Sequence, residues 1–90
     1  MSLFTFVLDY RGGTYIQQVE AANEERAVEA WARVLNLDDI QGLTAKSRPM
    51  LQAKFLGQEL APVSGSKSVW CVSARLRGSL ALVHVIRTEV

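Results

Sequence analysis

The sequence predicts an α+β domain in which two antiparallel β-hairpins form a four-stranded sheet with one main helix packed on one face. Three features carry this prediction. Leu3 to Tyr10 and Thr14 to Ala21 are rich in aromatic and β-branched residues and flank Gly12-Gly13, the pattern of a two-residue hairpin turn with positive φ. Ala27, Val28, Trp31, Val34 and Leu35 recur on one helical stripe. Val69 to Leu76 and Leu80 to Thr88 are joined around Arg77-Gly78-Ser79 as a second hairpin. An isolated hairpin is marginal in water, so the two ribbons need a shared core.

With Gly12-Gly13 as the first loop, the register pairs Tyr10 with Tyr15, Leu8 with Gln17, Phe6 with Val19 and Phe4 with Ala21. One face of this ribbon is nearly all apolar. The other carries Thr5, Val7, Asp9, Ile16, Gln18 and Glu20 and is free to meet solvent or a partner. Asn23 is placed to cap the helix, its side-chain oxygen accepting from a first-turn N–H, and Glu24 and Glu25 suit the positive end of the helix dipole. The helix runs from Glu24 to Leu35, with Asn36 as its stop, and Trp31 is expected on the Phe4, Phe6 and Leu8 face.

Residues 37 to 68 are punctuated by Gly42, Pro49, Gly57 and Pro62, and Pro49 excludes a continuous helix. A short helix from Pro49 to Leu56, with Pro49 at its first position, fits the preference of proline for helix starts. Ser64 to Ser68 reads as an exposed turn, and the whole segment is expected to close an edge or end of the sheet.

In the second hairpin either Arg77-Gly78 or Gly78-Ser79 serves as loop, and both choices leave the same faces. Trp70, Val72, Ala74, Leu76, Ala81, Val83 and Val85 share one side. Cys71, Ser73, Arg75, Arg77, Leu80, Leu82, His84 and Ile86 share the other. Leu80 to Ile86 is apolar on both faces apart from His84, so that strand is expected to be covered on both sides or to lie at a subunit contact.

Ninety residues, 49% hydrophobic and 21% charged, make a single folded domain over 1–90 and exclude the polar, highly charged signature of disorder. The single cysteine, Cys71, allows neither an internal disulfide nor a four-cysteine zinc cluster within one chain, which fits a reducing cytoplasm. No signal-peptide core or membrane-length apolar run is present in the sequence. The net charge of +1 is divided unevenly: residues 1–43 set three arginines against seven carboxylates, a net −4, and residues 44–90 set seven cations against two carboxylates, a net +5. Such a split suits an acidic partner, or attraction between the halves within the fold or across a dimer.

Cys71, Ser73 and His84 form the sharpest chemical constellation: the Arg77-Gly78 loop sets Cys71 directly opposite His84, the Gly78-Ser79 loop sets Ser73 there with Cys71 as a diagonal neighbour, and an imidazole can activate a thiolate. Against a Cys/His-dependent enzyme, nothing in the sequence places an acid to orient the ring, and the packed reading of both residues is preferred. Arg75 and Arg77, with Lys46, Arg48, Lys54, Lys67 and Arg87, could contact phosphates, but the aromatic residues fall on predicted core faces and the pI of 7.9 is low for a nucleic-acid footprint. One His and one Cys are too few for a metal site in one chain, and no cofactor motif is present.

The stretch "YRGGTYIQQVEAANEERAVEAW" resembles HicB-type antitoxins, small bacterial proteins in which a glycine-turned hairpin runs into a helix opened by an acidic turn. Taken over the first hairpin and the helix, the resemblance covers about a third of the chain. It implies a regulatory domain that dimerises and grips a partner protein, and it carries no functional residue across. The reading is therefore a non-enzymatic interaction module, a homodimer through a sheet edge or the second face of the C-terminal hairpin, with Cys71, Arg75, Arg77 and His84 as the partner-binding face.

Overall fold

Alternation of side chains along four long strands decides how this chain is layered. In the computed structural model, which describes residues 1–88, the elements follow as β1 (Ser2–Tyr10), β2 (Gly13–Ala21), α1 (Glu24–Val34), α2 (Arg48–Phe55), β3 (Ala61–Pro62), β4 (Val69–Leu76) and β5 (Ser79–Thr88). Short 3-10 turns at Leu37–Asp39 and Ala45–Ser47 join the helices. The sheet is antiparallel and its order is β2-β1-β5-β4-β3. The α+β class and the two hairpins are as expected, but the sheet has five strands rather than four. The added strand comes from the middle segment, which pairs Ala61 with Cys71 and Pro62 with Trp70. Proline there is tolerated because β3 lies at the sheet edge.

The first hairpin differs from its predicted register by two residues. Tyr10 pairs with Gly13, Leu8 with Tyr15, Phe6 with Gln17 and Phe4 with Val19, so the loop is Arg11-Gly12. Both take positive φ, 48° and 80°, as a type I′ turn needs. Left-handed backbone costs a non-glycine residue about 1–2 kcal/mol. Contacts made by Arg11 offset it: its guanidinium donates to Ser79 Oγ at 3.1 Å and to the Arg77 carbonyl at 3.2 Å, and lies 5.4 Å from the Tyr10 ring centroid. Gly13 is left to begin β2, where a Cβ would come within 2.6 Å of the Tyr15 hydroxyl. The second hairpin turns on Arg77-Gly78, with φ of 50° and 82°, and pairs Leu76 with Ser79. A shift of two keeps every side chain on its face, so the predicted faces survive the correction.

Both helices pack on one layer. Asn23 Oδ1 accepts from the Arg26 N–H at 2.9 Å, and α1 ends one residue earlier than predicted, with the Leu35 N–H bonded to the Trp31 carbonyl. The predicted short helix is present as α2, starting at Arg48, which leaves Pro49 second rather than first. Trp31 is fully buried and stacks on Phe6, with centroids 5.1 Å apart and planes 6° from parallel. Phe55 of α2 meets the Trp31 ring edge-on at 5.4 Å and 85°. Phe4, Leu8, Tyr10, Val72, Leu76, Ala81, Val83 and Val85 complete the core from the sheet. Among the described residues no helix is long and apolar enough to cross a membrane.

The uncovered sheet face

Since α1 and α2 share one layer, no element among the described residues lies over the other face of the sheet. The register arranges its side chains in rows across the strands. The central row runs Ile16, Val7, His84, Cys71, Ala61. One neighbouring row runs Thr14, Asp9, Leu82, Ser73, and the other runs Gln18, Thr5, Ile86, Val69. Polar groups sit toward the corners: Thr14 donates to Asp9 Oδ1 at 2.7 Å, Gln18 Nε2 donates to Thr5 Oγ1 at 3.0 Å, and the Thr5 and Thr88 hydroxyls bond at 2.6 Å. Val7, Leu82 and Ile86 in the middle are apolar and half-buried, while Ile16 on β2 and Leu80 near the second turn are exposed, at 68% and 58%.

Of the four predicted partner-face residues, Cys71, Arg75 and His84 lie on this face. Arg77 does not, because it is a turn residue with left-handed backbone. Cys71 stands directly opposite His84. Leu76 and Ser79 close the two-residue turn as a hydrogen-bonded pair, and strict alternation from there makes Cys71 and His84 a non-hydrogen-bonded pair, the closer kind, with Cα atoms about 4.5 Å apart. Ser73 faces Leu82, a diagonal neighbour of His84. The order β1-β5 adds Val7 on the other side of His84, a neighbour that no local pattern announces.

The basic residues do not converge on one surface. Arg11, Arg75 and Arg77 gather at the turn end of the sheet, where Arg75 Nη1 donates to the Gly78 carbonyl at 3.2 Å. Arg48 instead donates to the Ala32 carbonyl on the helical layer, and Lys46 and Lys54 belong to that layer as well. A groove of about 330 Å³ lies between α1 and the end of α2, lined by Val28, Phe55 and Leu60 among others, on the side away from Cys71 and His84. Among the described residues no group of three or more His, Cys, Asp or Glu side chains could hold a metal within one chain. No protein-family model, curated protein or solved structure matches this chain.

Proposed function

We propose that the protein is a small non-enzymatic interaction module that forms a homodimer through the uncovered face of its sheet. The observation that carries this reading is the apolar middle of that face, Val7, Leu82 and Ile86 with Ile16 beside them on β2, over which no element among the described residues lies while both helices pack opposite. Strands about 4.8 Å apart with a rise of about 3.3 Å per residue give the four long strands a face of about 500 Å² in projection. Side-chain relief raises the accessible area toward the roughly 800 Å² per partner of a standard interface.

Charge placement supports a second copy as the occupant. A two-fold axis parallel to the strands, between β1 and β5 at the middle of the four long strands, lays each β5 over the partner's β1. Asp9 then approaches Arg75 of the partner subunit, a pair of opposite charges across the axis. A dimerising regulatory domain is also what the likeness to HicB-type antitoxins implies, and that likeness belongs to this proposal. Light scattering across a concentration series should give twice the 10.0 kDa chain mass. A monomer at every concentration sinks the reading.

A second reading, nucleic-acid binding, draws on the gathering of Arg11, Arg75 and Arg77 at one end of the sheet. Retention on a polyanion column that falls with salt and with Arg75→Ala and Arg77→Ala would favour it. Indifference to both removes it.

A further inference from the structure

We infer that the free edge of β2 takes an extended segment of a partner protein as a sixth strand, with an acidic side chain of that segment answering Arg33. The inference rests on the reading of this chain as an interaction module but not on the dimer, because two sheets that meet face to face leave their edges open. β2 is the outermost strand on its side of the sheet, and its nine residues pair with β1 without a bulge. Tyr10 and Gly13 close the Arg11-Gly12 turn as a hydrogen-bonded pair. Every second residue from Gly13 therefore bonds to β1, and the N–H and C=O groups of Thr14, Ile16, Gln18 and Glu20 point outward. Among the described residues these outward groups have no backbone partner, and one of them, the Gln18 carbonyl, accepts from the neighbouring Gln17 Nε2 at 3.3 Å.

The opposite edge of the sheet is closed. β4 turns Val69, Cys71 and Ser73 outward, and the middle segment meets each of them. The Val63 N–H donates to the Val69 carbonyl at 2.9 Å, Ala61 pairs with Cys71, and Gln58 Nε2 donates to the Ser73 carbonyl at 3.1 Å. Pro62 then ends the sheet with a residue that has no N–H to offer. β2 has none of these devices: Gly13 to Ala21 contains no proline, lysine or arginine and a single charge, Glu20. Native sheets guard their edges because an unguarded row of donors and acceptors templates another strand. An extended backbone repeats its own donors and acceptors at the spacing of that row, which identifies the occupant as a strand.

Two hollows on the helical side of β2 set what that strand carries. One, of about 350 Å³, lies between Ala21 and the side of α1 that holds Ala30 and Arg33. The other, of about 260 Å³, lies between Gln17 and the buried Leu35 and Ile40 beyond the end of α1. A strand added antiparallel to β2 sends alternate side chains to the helical layer, so its residues opposite Ala21 and Gln17, four apart, enter the two hollows. Leu35 and Ile40 call for an apolar side chain. In the first hollow Arg26 is held by Glu29, whereas Arg33 has no hydrogen-bond or ion-pair partner among the described residues, so a carboxylate fits there. Glu20 lines that hollow as well, but alternation assigns its side chain to the bare face. The helical side of β2 itself carries Gly13, Tyr15, Gln17, Val19 and Ala21. It has no carboxylate for Arg33, which favours a foreign segment over the β2 of a second copy.

The probe is a phage-displayed library of random nine-residue peptides, selected on the full chain. Enriched sequences should place Asp or Glu four residues before an apolar side chain. Added as a synthetic peptide, such a sequence should slow amide exchange at Thr14, Ile16, Gln18 and Glu20 at least about tenfold, while Tyr15, Gln17 and Val19, already bonded to β1, change little. Gln18→Pro keeps every backbone bond to β1 and should weaken binding at least about tenfold, with circular dichroism showing the variant folded. Arg33→Glu should weaken it too and select basic residues in place of acidic ones. Leu82→Lys, which removes the proposed dimer, should leave peptide binding unchanged, so either reading can fail without the other. No enrichment, or a bound peptide that leaves the four outward amides exchanging as before, overturns the inference. Self-association that is lost in Gln18→Pro overturns it in favour of a second copy at this edge.

Discussion

Tyr10 donates its hydroxyl to the carbonyl oxygen of Leu76 at 2.7 Å, a buried bond between residues 66 positions apart. Each of the two residues immediately precedes an Arg-Gly turn, so the bond ties the turn ends of the two hairpins. Arg11, bonded to Ser79 and to the Arg77 carbonyl, closes the same junction from outside. Removing the hydroxyl in Tyr10→Phe keeps the ring and takes away the buried donor. The expected loss is about 1–2 kcal/mol, read as a lower urea midpoint at unchanged slope. An unchanged midpoint would show that the junction does not depend on this bond.

The two turn arginines should respond in opposite directions to the same substitution. Asparagine tolerates left-handed backbone better than arginine, and the Arg77 side chain makes no hydrogen bond among the described residues. Arg77→Asn is therefore expected to stabilise by about 0.5–1 kcal/mol. Arg11→Asn relieves similar strain but loses two hydrogen bonds and a ring contact, and should be neutral or destabilising. Thermal melts of the two variants side by side make the comparison, and equal shifts would contradict it.

Trp31 is wholly buried, yet its indole N–H has no hydrogen-bond partner. Trp31→Ala opens a large cavity between Phe6 and Phe55 and should cost about 3–5 kcal/mol. Trp31→Phe keeps much of the stacking and removes the unsatisfied donor, so it should cost distinctly less. Chemical denaturation followed by far-ultraviolet circular dichroism measures both. Equal losses would mean that the ring kept by phenylalanine contributes nothing to the core.

Leu82 and Val83 are chain neighbours on opposite faces of β5, and lysine should sort them cleanly. Val83 is fully buried beneath the helices, so Val83→Lys strands a charge in the core and should cost more than about 4 kcal/mol. Leu82→Lys lies on the uncovered face and should leave the melting temperature of the monomer nearly unchanged while abolishing the proposed dimer. Light scattering together with a thermal melt reads both effects. A folded, still dimeric Leu82→Lys variant would move the interface elsewhere.

Asn23 tests the one helix cap with a side-chain bond in α1. Its oxygen satisfies the Arg26 N–H, and Asn23→Ala should cost about 1 kcal/mol. The Arg26–Glu29 pair nearby is exposed on both sides at 3.2 Å, so Glu29→Ala should change stability by under about 0.5 kcal/mol. Urea midpoints for the two variants check the ordering.

Much of the architecture is legible in local pattern. Side-chain alternation sorted Phe4, Phe6, Leu8, Val72, Val83 and Val85 to the core, and helical spacing placed Trp31 against Phe6, because both periods are consequences of backbone geometry alone. Asn23 capped where its side chain and the acidic first turn pointed. The candidate site was legible only in halves. The sequence left Cys71 or Ser73 opposite His84 according to which two residues turn, and the Arg77-Gly78 turn selects Cys71, whereas Val7 beside His84 depends on β1 lying next to β5.

The sequence by itself determined which side of each strand is apolar, where α1 starts, and that two hairpins exist, since each of these follows from residues within a few positions of one another. Tertiary structure alone decided the first turn, the fifth strand and the bare face. Arg11 rather than Gly13 enters the turn because Arg77 and Ser79, more than sixty residues away, receive its guanidinium, and because Tyr15 occupies the space over Gly13. Ala61–Pro62 forms a strand only because β4 offers an unpaired edge. Both helices pack on one layer because Trp31 and Phe55 complete a single core with Phe6, and that shared packing is what leaves His84 and Cys71 uncovered.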